Sequence, residues 1–135
     1  MSAKSNVVHK NSEFCDKLEL FKNSPDWSYL EFSFDNLLRE EFEELQQAIA
    51  NKDEVETLDG AYDVSVIALN IAYKLFRMKG LDHAEAVRRT EEGFNRVLDS
   101  NLSKLHPDGS VKFREDGKVL KPETFQAPHF DDLLD

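Results

Sequence analysis

The chain has 135 residues, 40% of them hydrophobic and 33% charged, with a formal charge of −10 and a single cysteine. That length supports one domain, residues 1–135, and that balance fits a soluble globular protein rather than a disordered chain. It excludes a bilayer span, since no apolar run approaches the roughly 20 residues required, and it argues against duplex nucleic acid, whose phosphates need a basic counter-surface.

The first six residues lead into no apolar core of the secretory kind, so a cytoplasmic location is expected. A first amphipathic helix is predicted over about Val8 to Phe21, with Phe14, Leu18 and Phe21 at helical spacing. Cys15 lies inside it and reads as a packed residue. Being alone, it excludes an intrachain disulfide and a cysteine-based zinc site. After Asn23-Ser24-Pro25-Asp26 a second helix starts near Asp26 or Ser33 and runs to Ala50, its apolar seam passing through Phe34, Leu38, Leu45, Ala48 and Ile49.

Asn51-Lys52-Asp53 breaks the chain, and a third helix is predicted from about Glu54 to Lys79. Leu58, Tyr62, Val66, Leu69, Tyr73 and Phe76 follow its period, while Ala61, Ile67, Ala68, Ile71 and Ala72 widen the apolar surface. So broad a surface suits contact with several helices, including those of another subunit. Gly80 is suited to the C-cap, and Asp82 to capping a fourth helix that reaches about Leu102. Beyond Leu105, turns at His106-Pro107-Asp108-Gly109, Asp116-Gly117 and Pro122 frame two short strands, Val111–Arg114 and Lys118–Lys121. Residues 106–135 are therefore expected to form a hairpin or extended arm on an all-α, antiparallel bundle-like core of about four main helices.

The acidic residues carry the chemistry. In Arg39-Glu40-Glu41-Phe42-Glu43-Glu44-Leu45, Glu40 and Glu44 are one turn apart and Glu41 is three before Glu44, so these three face broadly one way. Glu41 also falls on the apolar seam, where an ionised carboxylate needs a partner. On the third helix Glu56, Asp59 and Asp63 share a face that continues to Asn70 and Lys74. Two antiparallel helices bringing these faces together would set like charges against each other unless protons or metal intervene. An oxygen-rich pocket of this kind suits Mg²⁺ or Mn²⁺. A solvated acidic surface is the competing account of Glu40–Glu44, and favourable charge at a helix N-terminus that of the Asp53–Asp59 run. Neither explains Asp63 well, beyond the first turn of a largely apolar helix. A ferritin-like metal protein is disfavoured because no E-x-x-H pair is present.

Three blocks resemble the all-α nucleoside triphosphate pyrophosphohydrolase superfamily, in its MazG-like and phosphoribosyl-ATP-pyrophosphohydrolase-like branch. The first is Leu37–Leu45, similar to the family's E-E-x-x-E metal helix. The second is Asp59-Gly60-Ala61-Tyr62-Asp63, similar to the D-G-x-x-D form of some members. The third is Ser100-Asn101-Leu102-Ser103-Lys104, followed by Asp108-Gly109, Asp116–Pro122, Phe125 and Pro128. The common motif has a glutamate three residues before its last aspartate, where this chain has Gly60. Asp59 with Asp63, or Glu56 with Asp59, is thus left to complete the metal site.

The resemblance implies hydrolysis of a nucleoside triphosphate, a deoxynucleotide being the favoured class, to a monophosphate and pyrophosphate with Mg²⁺ or Mn²⁺. It implies Glu41, Glu44 and Asp63 as direct ligands, with Asp59 and Glu56 also in the metal set. Glu40 and Glu41 are the catalytic pair, Glu40 acting on the water or itself binding metal. Asn101, Lys104, Lys118, Lys121, Asn70 and Lys74 are the substrate-binding candidates, and Trp27, Tyr62 and Tyr73 are able to stack on a base, although the tyrosines fit core packing better. Related enzymes form dimers or tetramers, so a homodimer or homotetramer is expected, with neither nucleic acid nor membrane as partner. The competing function is a catalytically inactive acidic helical module that binds or regulates another protein, Gly60 then marking decay of the site.

Overall fold

The computed structural model describes residues 7–17 and 26–135. They form an all-α fold with four main helices and a short C-terminal hairpin. The chain separates into two compact units, Met1–Thr90 and Glu91–Asp135.

In the first unit, α1 covers Val7–Lys17. The expected helical positions Leu18 and Phe21 lie outside the described residues. Asp26 then caps the helix that carries the acid motif, accepting from Ser28 N at 2.9 Å and so satisfying one of the donors a helix start leaves open. The helix has three consecutive parts: α2, Trp27–Phe32; a π-helical stretch, Ser33–Leu38; and α3, Arg39–Ala50. Arg39 N–H bonds back five residues to Phe34 O. Such wide turns shift the phase between the residues before and after them.

Asn51-Lys52-Asp53 reverses the chain, Lys52 taking a left-handed φ of 55°. Asp53 caps α4, Glu54–Met78, its carboxylate accepting from Glu56 N at 3.0 Å. α3 and α4 pack as an antiparallel pair, and Gly60 marks a close approach between them. A Cβ built there would sit 3.1 Å from both Cα and Cβ of Leu45. α1 lies against another side of α4, where Asn11 Nδ2 donates to Val66 O at 2.9 Å and Arg77 pairs with Asp16 at 2.9 Å. Tyr73 is fully buried there, its hydroxyl 2.7 Å from His83 Nδ1 and accepting from Arg77 at 2.7 Å. Gly80, at φ 89°, ends α4, and Asp82 opens α5, His83–Leu102, by accepting from Glu85 N at 2.9 Å.

In the second unit, strands β1, Lys112–Phe113, and β2, Val119–Leu120, pair antiparallel around Asp116-Gly117, with Lys112 opposite Leu120. The last segment folds back on α5. Arg96 grips Asp132 through two bonds of 2.7 and 2.8 Å and donates to His129 O at 2.8 Å, while Leu133 fills the space Gly93 leaves open.

Several apolar positions expected inside lie outside. Phe14 is 57% exposed, and α1 instead buries Val8, Ser12 and Cys15. Phe34 and Ile49 of the expected seam are exposed, because the π-helical stretch moves the phase and Ala48 takes the inner position. On α4, Tyr73 and Phe76 are buried, but Leu58 and Tyr62 are 57% and 65% exposed. Among the described residues, no helix is long and apolar enough to cross a membrane.

Gly60→Ala is expected to destabilise the protein. Forcing a methyl against the Leu45 backbone costs about 1–3 kcal/mol, which outweighs the gain of at most about 1 kcal/mol from replacing a helical glycine. Urea denaturation should show a lower midpoint with an unchanged slope; a midpoint at or above wild type would contradict the close packing.

Candidate active site

Glu41 lies one turn before Leu45 on α3, and Asp63 one turn after Gly60 on α4. The close approach of Leu45 to Gly60 therefore draws these carboxylates together across the helix pair. Glu41 is half-buried, and its Oε2 is sealed from solvent without a hydrogen-bond partner among the described residues. Burial first, then the neighbouring charges of Glu44 and Asp63 and, more weakly, Glu40, push its carboxyl up to about 7. Glu40 and Glu44 are exposed on the same helix. Glu44 and Glu56 line a groove of about 250 Å³ between α3 and α4, together with Gln47, Ala48, Asn51 and Asp53. Asp59 is exposed on α4 between Glu56 and Asp63.

Among the described residues, no group of three or more His, Cys, Asp or Glu side chains is arranged to hold a metal ion. The chemistry of the donors nevertheless fits a hard divalent cation. All are carboxylate oxygens, one is buried and unpartnered, and the charges around it repel unless a proton or cation intervenes. Glu44 and Asp63 are the acids whose charges bear most on Glu41, and Glu56 lies along the adjoining groove.

The α4 face continues inward. Asn70 is buried, and Lys74 is only 5% exposed, its Nζ donating to Ser33 Oγ at 2.8 Å while that hydroxyl bonds Tyr29 O at 3.0 Å. Burial holds the Lys74 ammonium below its usual range, a shift partly offset by Cys15. Lys74 thus braces the π-helical stretch against α4. Ser33 was not singled out from sequence; a hydroxyl 41 positions from its partner leaves no periodic signal.

In the second unit, Lys104 Nζ donates to Asn101 Oδ1 at 3.0 Å, and Lys121 Nζ stands 4.7 Å from the centre of the Phe125 ring. Lys118 N–H bonds the Asp116 carboxylate in the hairpin turn. A groove of about 340 Å³ in this unit is lined by Arg96, Asp99, Ser100 and Gln126 to His129, and by none of these three lysines. Of the three aromatic candidates for stacking, Trp27 and Tyr62 are exposed, whereas Tyr73 is committed to the core.

The structure thus sets an E-E-x-x-E run against aspartate across an antiparallel helix pair within an all-α fold. The chain belongs to the phosphoribosyl-ATP pyrophosphohydrolase (PRA-PH) family, whose model matches residues 12–92. Neither a curated protein nor a solved structure matches it. The matched segment holds the acid motif, Asp59, Asp63, Asn70 and Lys74, and ends before Asn101, Lys104 and the hairpin lysines.

Glu41 sets a pH dependence. Its carboxyl keeps its proton in the folded chain to about pH 7 against an ordinary value of 4.5. The stability associated with the neutral form is complete below about pH 4.5 and is lost as pH rises through about 7. Without divalent cations, Glu41→Gln, neutral throughout, should melt above wild type at pH 8 and converge with it near pH 4.5. Parallel melting curves across that range would remove the assigned environment of Glu41.

Proposed function

We propose that this protein is a divalent-cation-dependent nucleoside triphosphate pyrophosphohydrolase that cleaves between the α and β phosphates, releasing a nucleoside monophosphate and pyrophosphate. The observation that carries this reading is the half-buried Glu41 carboxylate, one oxygen of which has no hydrogen-bond partner among the described residues, crowded by Glu44 and Asp63 in a chain of a pyrophosphohydrolase family. Mg²⁺, or Mn²⁺ in its place, would supply charge neutralisation of the triphosphate and activation of water. Glu41, Glu44 and Asp63 would hold it, with Asp59 and Glu56 on the same face of α4 as auxiliary acids.

Glu40, exposed beside them, orients the attacking water and takes its proton. As the water oxygen bonds the α-phosphorus, the bond to the bridging oxygen breaks and pyrophosphate leaves with the electron pair. Asn70 supplies hydrogen bonds to the nucleoside part. Lys74 acts through Ser33, keeping the helix before Glu40 in place. A deoxynucleoside triphosphate is the proposed substrate class. Gly60 fits this reading as the residue that closes the helix pair, rather than as a lost ligand.

The protein acts as a homodimer in this proposal. Phe42, Ile49, Val55, Leu58 and Tyr62 leave the α3–α4 pair with large exposed apolar side chains, and Ile49 and Leu58 line one groove. A second copy would cover them. Leu58→Glu should shift the mass measured by light scattering from dimer to monomer; a monomeric wild type would refute the assembly.

Incubation of a triphosphate panel with Mg²⁺ should yield pyrophosphate and monophosphate in equal amounts from at least one deoxynucleotide. Glu41→Gln should lower kcat by about 10²–10⁴-fold, the range for loss of a positioned catalytic group. Single phosphate as the product would refute cleavage between the α and β phosphates, and no turnover with Mg²⁺ or Mn²⁺ would favour the acidic binding module instead.

A further inference from the structure

Asp63, Asn70 and Lys74 lie on α4 at i, i+7 and i+11, within about 40° of one another around the helix axis. The outer two fix where this face points. Asp63 stands against Glu41, and Lys74 donates to Ser33 Oγ at 2.8 Å. Asn70 therefore faces the same helix, at its π-helical stretch Ser33–Leu38. Turns of that kind recur at functional sites, because they break the regular face of a helix.

Asn70 is 8% exposed, and its Oδ1 is sealed from solvent with no hydrogen-bond partner among the described residues. A buried amide left in that state weakens the fold, whereas leucine would occupy similar space without an unmet hydrogen bond. With about 1.5 Å of rise per residue, Asn70 stands about 10 Å along α4 from Asp63. That separation is comparable with the span from the α-phosphate of a nucleotide to the edge of its base.

We propose that Asn70 is the specificity-determining residue of the nucleotide site, its amide hydrogen-bonding the edge of the base while the phosphates lie at the carboxylates. This rests on the nucleotide reading above. An amide offers an acceptor and a donor side by side, and a nucleobase edge presents the matching pair. A site built around such a hydrogen bond discriminates strongly against ligands that leave it unmade. Lys74, one turn further on, is committed to Ser33.

The test is binding rather than turnover. The four deoxynucleoside monophosphates, and deoxyribose 5-phosphate as a base-free control, are titrated into full-length protein by NMR. Wild type should bind its preferred monophosphate at least about 10-fold more tightly than deoxyribose 5-phosphate and should rank the four bases. Asn70→Leu should lose that advantage and flatten the ranking, with unchanged affinity for deoxyribose 5-phosphate and a melting temperature at or above wild type. Asn70→Asp, which keeps the size but replaces the donor with an acceptor, should reorder the ranking, and it carries the test if the leucine variant does not fold.

A wild type that binds monophosphates no better than deoxyribose 5-phosphate would overturn the assignment. So would a wild-type ranking retained in both variants. Because these titrations need no hydrolysis, an Asn70-dependent ranking in a protein that releases no pyrophosphate would sink the catalytic reading and leave the subsite standing.

Discussion

The contact of Gly60 with Leu45 governs the rest of the first unit. Helices that meet through ordinary side chains keep their axes about 8–10 Å apart, and a glycine at the contact lets one backbone approach the other more closely. Here a Cβ would stand 3.1 Å from the opposing Cα. One turn along the pair, on the same side of that contact, Glu41 and Asp63 come together, and burial with this crowding shifts Glu41 toward neutral pH. The residue that departs from the common family pattern is thus the one that sets the distance across which the carboxylates act.

Stability and chemistry pull against each other along this interface. Apolar burial at Ala48, Tyr73 and Phe76 binds the unit together, yet the same helix surfaces hold a carboxylate oxygen and an amide oxygen with no hydrogen-bond partner among the described residues, and a lysine whose hydrogen bond goes to a neutral hydroxyl. Each is unfavourable to folding taken alone. Asn70 and Lys74 share one face of α4, and Glu41 meets the Asp63 end of that face from α3. Structural interiors satisfy their polar groups; sites leave some for a ligand.

Much of this was legible in the sequence where the deciding chemistry is local. Asp26, Asp53 and Asp82 act as caps, Gly80 and Gly117 take positive φ, and helix limits follow from them. The shared face of Glu40, Glu41 and Glu44 is likewise a matter of spacing. What periodicity does not carry is which apolar face the chain covers with itself. Phe14, Leu58 and Tyr62 keep good helical spacing yet lie outside, and the π-helical stretch breaks the phase that would have placed Phe34. The pairing of Lys74 with Ser33 and the fit of Leu45 to Gly60 join distant parts of the chain and show only in three dimensions.

The π-helical stretch has a mechanical consequence. An α-helix advances about 100° per residue, so one residue more or fewer in Ser33–Leu38 amounts to rotating Trp27–Phe32 by that angle about its axis relative to Glu40–Glu44. The stretch behaves as a torsional joint between an aromatic-bearing segment and the acid motif, and its wide turns hold that joint at one setting. The bond from Lys74 ties the first residue of the stretch, Ser33, to α4, and the Arg39–Asp35 ion pair spans its junction with α3.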